Sequence, residues 1–541
     1  MKENPHVLIN GAGPTGLMMA GQLALRDVPF RILDKNEDHT IQSRALVVQA
    51  RSLEIFDQMG IAQEALRLGE KAQAVGIIFN GKHVFRMDLG DVGAGLTAFP
   101  YLLILEQSKT EQLLTDFLAH HGYRVERNTE LLDFTQEADA VKATIKHTHG
   151  GEELVQVDWL VGADGAHSLV RQQLAIPFAG KTYQESLFVL DCKVDMDIPS
   201  DEMVLAFADK AFAGFFPLPN GRCRVLGTVP KGLEGQATIT FEAVAKNFAE
   251  RTKLDVKLHN PEWIAVYSSH HRAVSLFRKG RAFVAGDAAH IHSPVGAQGM
   301  NTGLQDAYNL AWKLALVTQG KAREELLDSY NDERLAIAHN LVRTTDTAFQ
   351  YVNSQNPFLK GLRMTIMPRV LPILWPIAQR QSAIRELGFK TISEIGLNYR
   401  KSPLSQEDEQ SHFPRHAPKP GDRVPYIPTT SQSKGSRDFV TGTQYHLVLF
   451  SGQTVDEGTQ KALQQLQQTY ADLIKIDEVP ASEITRELYK AFGVQHQGFY
   501  FIRPDGYIAY RSTTNDVRHF ASYLTRYLLE RFSREDTNSN T

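Results

Sequence analysis

Two cysteines, Cys192 and Cys223, are all that the 541 residues contain. So few exclude a disulfide framework or a cysteine-based metal cluster, and they fit a reducing compartment. No run of about eighteen apolar residues is present, so no membrane-spanning helix is expected. Neither sign of charge dominates, since 58 Lys and Arg stand against 62 Asp and Glu for a net −4. An imbalance that small gives no electrostatic case for nucleic acid or an anionic membrane as a partner. The chain enters an apolar stretch within a few residues of Met1, which leaves no room for a secretory signal, and a cytoplasmic protein is expected. Hydrophobic residues make up 42%, enough for large buried cores. The length suggests roughly two to four domains.

Val7 to Asn10 reads as a strand, and Gly11-Ala12-Gly13-Pro14-Thr15-Gly16 follows before an apolar helix through Leu25. This is the G-x-G-x-x-G dinucleotide fingerprint in the strand–turn–helix context it requires. Gly11 makes the tight turn, Gly13 lets backbone approach a pyrophosphate, and Gly16 allows close helix–strand packing. A second strand, Phe30 to Leu33, ends in Asp34, eighteen residues after Gly16, where a carboxylate fits a ribose diol; Lys35 follows it.

The stretch RAFVAGDAAHIHSPVGAQGMNTG, Arg281 to Gly303, has a related grammar. Arg281 to Ala285 reads as a buried strand ending at Gly286, which puts Asp287 where open α/β sheets bind ligands. Its carboxylate can accept hydrogen bonds from a polyol such as a ribityl chain. Pro294, Gly296 and Gly299 let a backbone turn sharply beside a flat ligand. From about Met300 to Thr318 the apolar spacing predicts a helix whose amino end points back at that loop. Such an end suits a ligand that becomes anionic, as a flavin does on reduction.

Between these motifs, Ser43 to Phe56 reads as a loop and helix in which Arg44 or Arg51 could meet a phosphate. Leu105 to Leu114 opens a helix near Gln107, and Asp158 to Ser168 is a strand ending in the Asp164-Gly165 turn. In order and spacing, Gly11–Gly16, Asp164–Gly165 and Gly286–Asp287 resemble the single-component FAD-dependent aromatic hydroxylases, the family of phenol, p-hydroxybenzoate and polyketide hydroxylases. The likeness covers about residues 5 to 395. It implies an α/β fold: a Rossmann-like FAD-binding domain of p-hydroxybenzoate hydroxylase type, an antiparallel-sheet substrate domain and a C-terminal thioredoxin-like domain. It assigns the adenosine ribose to Asp34 and further FAD contacts to Gln107. Asp164 is associated with both FAD and nicotinamide, Asp287 with the ribityl chain, and Pro294 to Asn301, with Met300, with the isoalloxazine. The electron donor is then NADPH or NADH, bound transiently, and no second G-x-G-x-x-G is present, as in that family.

The expected FAD-binding domain is discontinuous, over residues 1–75, 104–178 and 270–395. Residues 76–103 and 179–269 should form the substrate sheet, with a hairpin at Pro219-Asn220-Gly221. The chemistry implied is hydroxylation of a phenolic or polycyclic aromatic substrate by O2 through a flavin C4a-hydroperoxide, with Pro294, Val295, Gly296 and Ala297 shaping a dry cavity. A phenol reacts best as phenolate, so a base is expected; His290, His292, Tyr267, His270 and Asp57 are candidates, none preferred. Baeyer–Villiger oxygenation, flavin-dependent dehydrogenation and a non-catalytic flavin scaffold are the alternatives.

Arg323 to Arg334 reads as a solvated helix face with ordinary ion pairs, and residues 350–395 as helix broken by prolines. Residues 396–442, poor in large apolar residues over most of their length, are the expected linker. Residues 443–532 alternate strand and helix, with a Pro504-Asp505-Gly506 hairpin and an amphipathic helix over Leu463 to Leu473. Resemblance makes this a thioredoxin-like domain without redox cysteines, structural or stabilising a homodimer.

Overall fold

The computed structural model describes residues 5–530 apart from 40–44, 149, 198, 200, 209–210, 231, 234–235, 237, 293–296, 354–355, 380, 431–433 and 453–456. Val7–Asn10 lies between Phe30–Leu33 and Trp159–Gly162, and Ala282–Val284 extends the sheet; all four strands run parallel. Parallel strands need crossovers and are buried, which is why these segments are mostly apolar runs rather than alternating ones, Arg31 in Phe30–Leu33 being ion-paired to Glu126 and Glu153. The crossover helix Pro14–Ala24 packs on Gly299–Thr318, itself buried along most of its length. A three-stranded antiparallel sheet, Thr129–Gln136, Val141–His147 and Glu152–Val157, contributes to the same core.

An eight-stranded sheet follows, with the short edge strand His290–Ile291 beside its two longest strands, Lys257–Val274 and Phe178–Asp195. Arg222–Thr228, Ala211–Leu218, Glu202–Ala208, Ala74–Phe79 and Lys82–Asp88 continue it in that order, and only the Glu202–Ala208/Ala74–Phe79 pair is parallel. The Pro219–Gly221 turn joins two of these strands, with Asn220 and Gly221 both left-handed at φ +63° and +68°. Strand side chains alternate faces. One face carries Phe188, Leu190, Val204, Ala213, Phe215 and Val225, all buried in a core capped by Phe248. The other carries Leu187, Val189, Leu205, Phe212, Phe216, Trp263 and Tyr267, several only half-buried.

Several local expectations shift. Leu102–Ile104 does not join the large sheet; it pairs with Val47–Val48 and Glu70–Ala72. Pro372 and Pro376 lie inside one helix, Met367–Gln379, instead of ending it. Glu333 and Arg334, expected on a solvated face, are 3% and 0% exposed in helix Asp328–Asn353. The sequence periodicity missed this because their partners come from distant segments.

At the C-terminal end the strand order is Ile508–Ser512, Gly498–Ile502, Tyr445–Gly452, Ile474–Pro480. Gly498–Ile502 is antiparallel to both neighbours and the last two strands are parallel. The helix expected over Leu463 to Leu473 spans Glu457–Thr469. Residues 396–442 have little regular structure, yet Tyr399, Leu404, Val424 and Phe439 are buried and Gln406–Glu407 pairs with Ile508–Ser512.

Candidate active site

Every strand of the parallel sheet ends its carboxyl edge in one of the turns singled out in the sequence. Gly11–Gly16 follows Val7–Asn10, Asp34 follows Phe30–Leu33, Asp164 follows Trp159–Gly162 and Gly286–Asp287 follows Ala282–Val284. The turns are cross-braced. The Ala12 amide donates to Asp34 Oδ2 at 2.8 Å, and the Asn36 amide and side chain donate to Oδ1 at 2.9 Å. Asn10 Nδ2 donates to Asp164 Oδ2 at 3.0 Å, as do the Leu169 and Val170 amides at 2.8 and 3.2 Å.

Glycine is required here by space. A Cβ on Gly11, whose φ is +103°, would lie 2.4 Å from the Ala163 carbonyl oxygen, and one on Gly16 would lie 1.9 Å from that of Gly11. A Cβ on either Gly286 or Gly303 would reach Thr15 Oγ1 at 2.4 Å, so the first helix and the helix after the second motif touch through this pair of glycines. Gly13 differs: nothing described stands within 4 Å of its Cβ position. Helix Pro14–Ala24 has no side-chain cap at its start, which leaves first-turn amides aimed into that open space. Such a helix end binds phosphate.

A dinucleotide fits this edge. Asp164 Oδ1 is buried without a hydrogen-bond partner among the described residues, and burial raises the carboxyl's pKa. A buried acceptor left open is costly unless a ligand completes it. Asp287 is exposed on its turn, and Lys35 is exposed beyond Asp34. Gln107, at the start of helix Gln107–His120, accepts from the Ala45 amide at 3.1 Å and donates to Glu111 at 2.8 Å. Arg44, Pro294, Val295 and Gly296 lie outside the described residues. Ala297 packs against the apolar cluster of Leu102, Met203 and Leu218, and so ties the loop to the large sheet.

Gly299 and Met300 open helix Gly299–Thr318 and are half-buried. The Asn301 side chain is wholly occupied: it accepts from the Gln49 amide at 2.9 Å and donates to the carbonyls of Val47 and Ala297 at 2.8 and 3.0 Å. What Asn301 presents to a ligand is backbone. His290 is 1% exposed and hydrogen-bonds to Asp306 at 2.7 Å, a carboxylate that also accepts from the Gly286 amide at 2.9 Å and from Arg334 at 2.6 Å. His290 therefore braces the Gly286 turn from behind. Asp57 is paired to Arg437 at 2.6 Å, and His270 contacts Thr182 at 2.9 Å. Arg51, read as an alternative phosphate contact, is 3% exposed and donates to the Asp505 carbonyl at 2.7 Å and to Glu54 at 2.9 Å. It joins the C-terminal hairpin, not a phosphate.

The half-buried face of the large sheet carries a buried ionic group. Arg224 makes two 2.7 Å bonds to Asp191, and Trp263 Nε1 donates to the same carboxylate at 2.9 Å. Arg224 and Asp191 are buried, amid Leu226, Phe216 and Tyr267. Sequence reading missed this pair, as it missed Asp306, Lys313 and Glu394. The available signal was a charged residue inside an otherwise apolar strand or helix, which demands a buried partner.

A family model described as FAD binding domain matches residues 4–345. The 6-methylpretetramide 4-monooxygenase of Streptomyces rimosus is 34% identical over 524 residues, 94% of this chain and 90% of that protein. Pentachlorophenol 4-monooxygenase of Sphingobium chlorophenolicum is 30% identical over 426 residues, covering 77% and 75%. Among solved structures, anhydrotetracycline hydroxylase from Streptomyces rimosus superposes with TM-score 0.75 at 26% identity, covering 96% of this chain and 98% of that one. The fold of aklavinone-11 hydroxylase, solved with FAD and aklavinone, matches with TM-score 0.77 at 21% identity, covering 97% and 99%.

Proposed function

The chain belongs to the FAD-binding family of single-component aromatic hydroxylases, and from that premise we propose that its own substrate is a polycyclic phenol. It is an FAD-dependent aromatic-ring monooxygenase using NAD(P)H and O2. The flavin, once reduced, supplies the activation of dioxygen toward an electron-rich ring.

The chain's residues supply position and exclusion of water. Gly11, Gly13, Pro14, Thr15 and Gly16 hold the pyrophosphate, Asp34 the adenosine ribose, and Asp287 the ribityl chain. Asp164 and Gln107 would complete the FAD contacts, and the amides opening helix Gly299–Thr318 would serve the pyrimidine side of the flavin. The convergence of four turns on one sheet edge carries this assignment. The half-buried sheet face, with Phe212, Phe216, Trp263 and Tyr267 partly exposed, is the wall against which an aromatic ring would lie. Arg224, held by Asp191, places fixed polarity at that wall, where it orients a phenolic oxygen. A polycyclic substrate is favoured because the near full-length relative acts on 6-methylpretetramide, while the relative acting on a single ring aligns over less of the chain.

The C-terminal strand order, with Gly498–Ile502 antiparallel to its neighbours, supports a thioredoxin-like domain over residues 443–532. Both cysteines lie outside it, so its part is structural. The compartment that fits is the cytoplasm, where nicotinamide donors are supplied.

The test is NAD(P)H oxidation by the FAD-loaded protein with single-ring and three- or four-ring phenols. Polycyclic phenols should accelerate oxidation and gain one oxygen. Acceleration by single-ring phenols alone would overturn the substrate class.

A further inference from the structure

Among the described residues, Glu394 is a buried acid without an ionic partner bonded to it. It is 3% exposed and its carboxyl accepts from neutral groups, Thr302 Oγ1 at 3.1 Å and Gln305 Nε2 at 2.5 Å. Its backbone is left-handed, at φ +60°, which a residue with a Cβ adopts at a cost. Both partners lie in the first two turns of helix Gly299–Thr318. The segment is pinned at neighbouring points: Gln298 donates to the Thr391 carbonyl and the Arg51 amide to that of Ser393, each at 3.2 Å. A strained backbone, a charge-capable side chain and neutral partners thus meet beneath the amino end of one helix.

We propose that Glu394 is a positioning residue for the flavin: its carboxyl group fixes the first turns of helix Gly299–Thr318, and its charge state sets how well that helix end stabilises the reduced, anionic cofactor. This rests on the placement of the flavin pyrimidine edge at that helix end. A neutral carboxyl leaves the positive end of the helix dipole free to act on the reduced flavin, whereas a carboxylate opposes it. The charged groups acting on Glu394 from adjoining elements are Arg334, which favours ionisation, and Asp306, which opposes it. Burial outweighs them and pushes the carboxyl up to about 8. Reduction by NAD(P)H then raises the proton affinity of Glu394 further, and the proton it takes up comes from water.

The experiment is the flavin midpoint potential of the FAD-loaded full chain as a function of pH, with infrared difference spectra of reduction. The wild-type curve should steepen near pH 8, because reduction there binds an extra proton. The spectra should carry a protonated-carboxyl band that shifts on reduction. Glu394→Gln, which fixes the neutral form and keeps the shape, should bind FAD and lose both the bend and the band. Should that variant not fold, a wild-type curve without a bend, or spectra without the band, overturns the proposal on its own. A bend and band that persist in Glu394→Gln also overturn it. A chain that binds no FAD overturns the functional reading itself, a separate result.

Discussion

Arg503, in the C-terminal hairpin, makes two hydrogen bonds to Glu333 in helix Asp328–Asn353, at 2.5 and 3.0 Å, with both side chains at most 1% exposed. Lys313 reaches the same carboxylate at 2.8 Å, and Asp505 binds the far side of Arg503 at 2.9 and 2.5 Å. Burial alone would raise the Glu333 carboxyl, but Arg503 and Lys313 hold it well below the usual range. Arg334, next in sequence, leads through Asp306 to the Gly286 amide. The C-terminal hairpin is thereby linked to the second glycine turn through two consecutive helix residues. Removing one partner of such a buried pair costs about 3–5 kcal/mol. Arg503→Met should lower denaturant stability by about that much and weaken FAD retention, and pairing it with Glu333→Gln should recover part of the loss.

Gly11 and Gly13 separate protein packing from cofactor binding. Gly11→Ala meets the Ala163 carbonyl and a left-handed φ, so it should destabilise the fold as well as abolish tight FAD binding. Gly13→Ala meets no described protein atom within 4 Å. It should melt like the wild type while losing FAD affinity by about 10- to 100-fold, the equivalent of about 1.4–2.8 kcal/mol. Flavin fluorescence titration beside thermal melts checks both. Equal FAD affinity in Gly13→Ala would contradict the pyrophosphate assignment.

Arg224→Ala leaves Asp191 buried and unpaired, and should cost stability on the scale of about 3–5 kcal/mol. Replacing both, as Arg224→Met with Asp191→Leu, should restore stability without restoring the polar wall. Steady-state kinetics of the double variant should then show a raised KM for the aromatic substrate, with FAD affinity unchanged.

Glu394 also gives stability a pH dependence of known sign. Its folded pKa is raised from 4.5 to about 8 by burial. Between those values the folded state binds a proton that the unfolded state has lost, so stability falls as pH rises through this window. Thermal melts at pH 6 and 9 should show Glu394→Gln losing less stability across the window than the wild type.

The motifs were legible because each is a short local pattern, a glycine turn or an acid at a strand end, even where the atoms that demand it, such as the Ala163 carbonyl against Gly11, come from a distant segment. Asn301 was legible as a position but not as a role, since its side-chain partners at Val47 and Gln49 lie some 250 residues distant. Glu333 and Arg334 looked solvated because charge on a helix ordinarily is. Only the arrival of Arg503 and Asp306 makes their burial favourable. Leu102–Ile104 failed for a similar reason, since short strands carry no signal of which sheet they join. Where structure depended on long-range ion pairs, one-dimensional pattern could show a charge in an apolar run but not the partner that buries it.

The central claim is oxygen insertion into an aromatic ring at the flavin edge. The most direct measurement is mass analysis of the product formed from a polycyclic phenol under isotopically heavy dioxygen, with NAD(P)H consumption followed in the same vessel. One heavy oxygen atom in the ring product, matched to the nicotinamide oxidised, is the expected result. Oxidation of substrate with no oxygen incorporated, or incorporation from water alone, would contradict it.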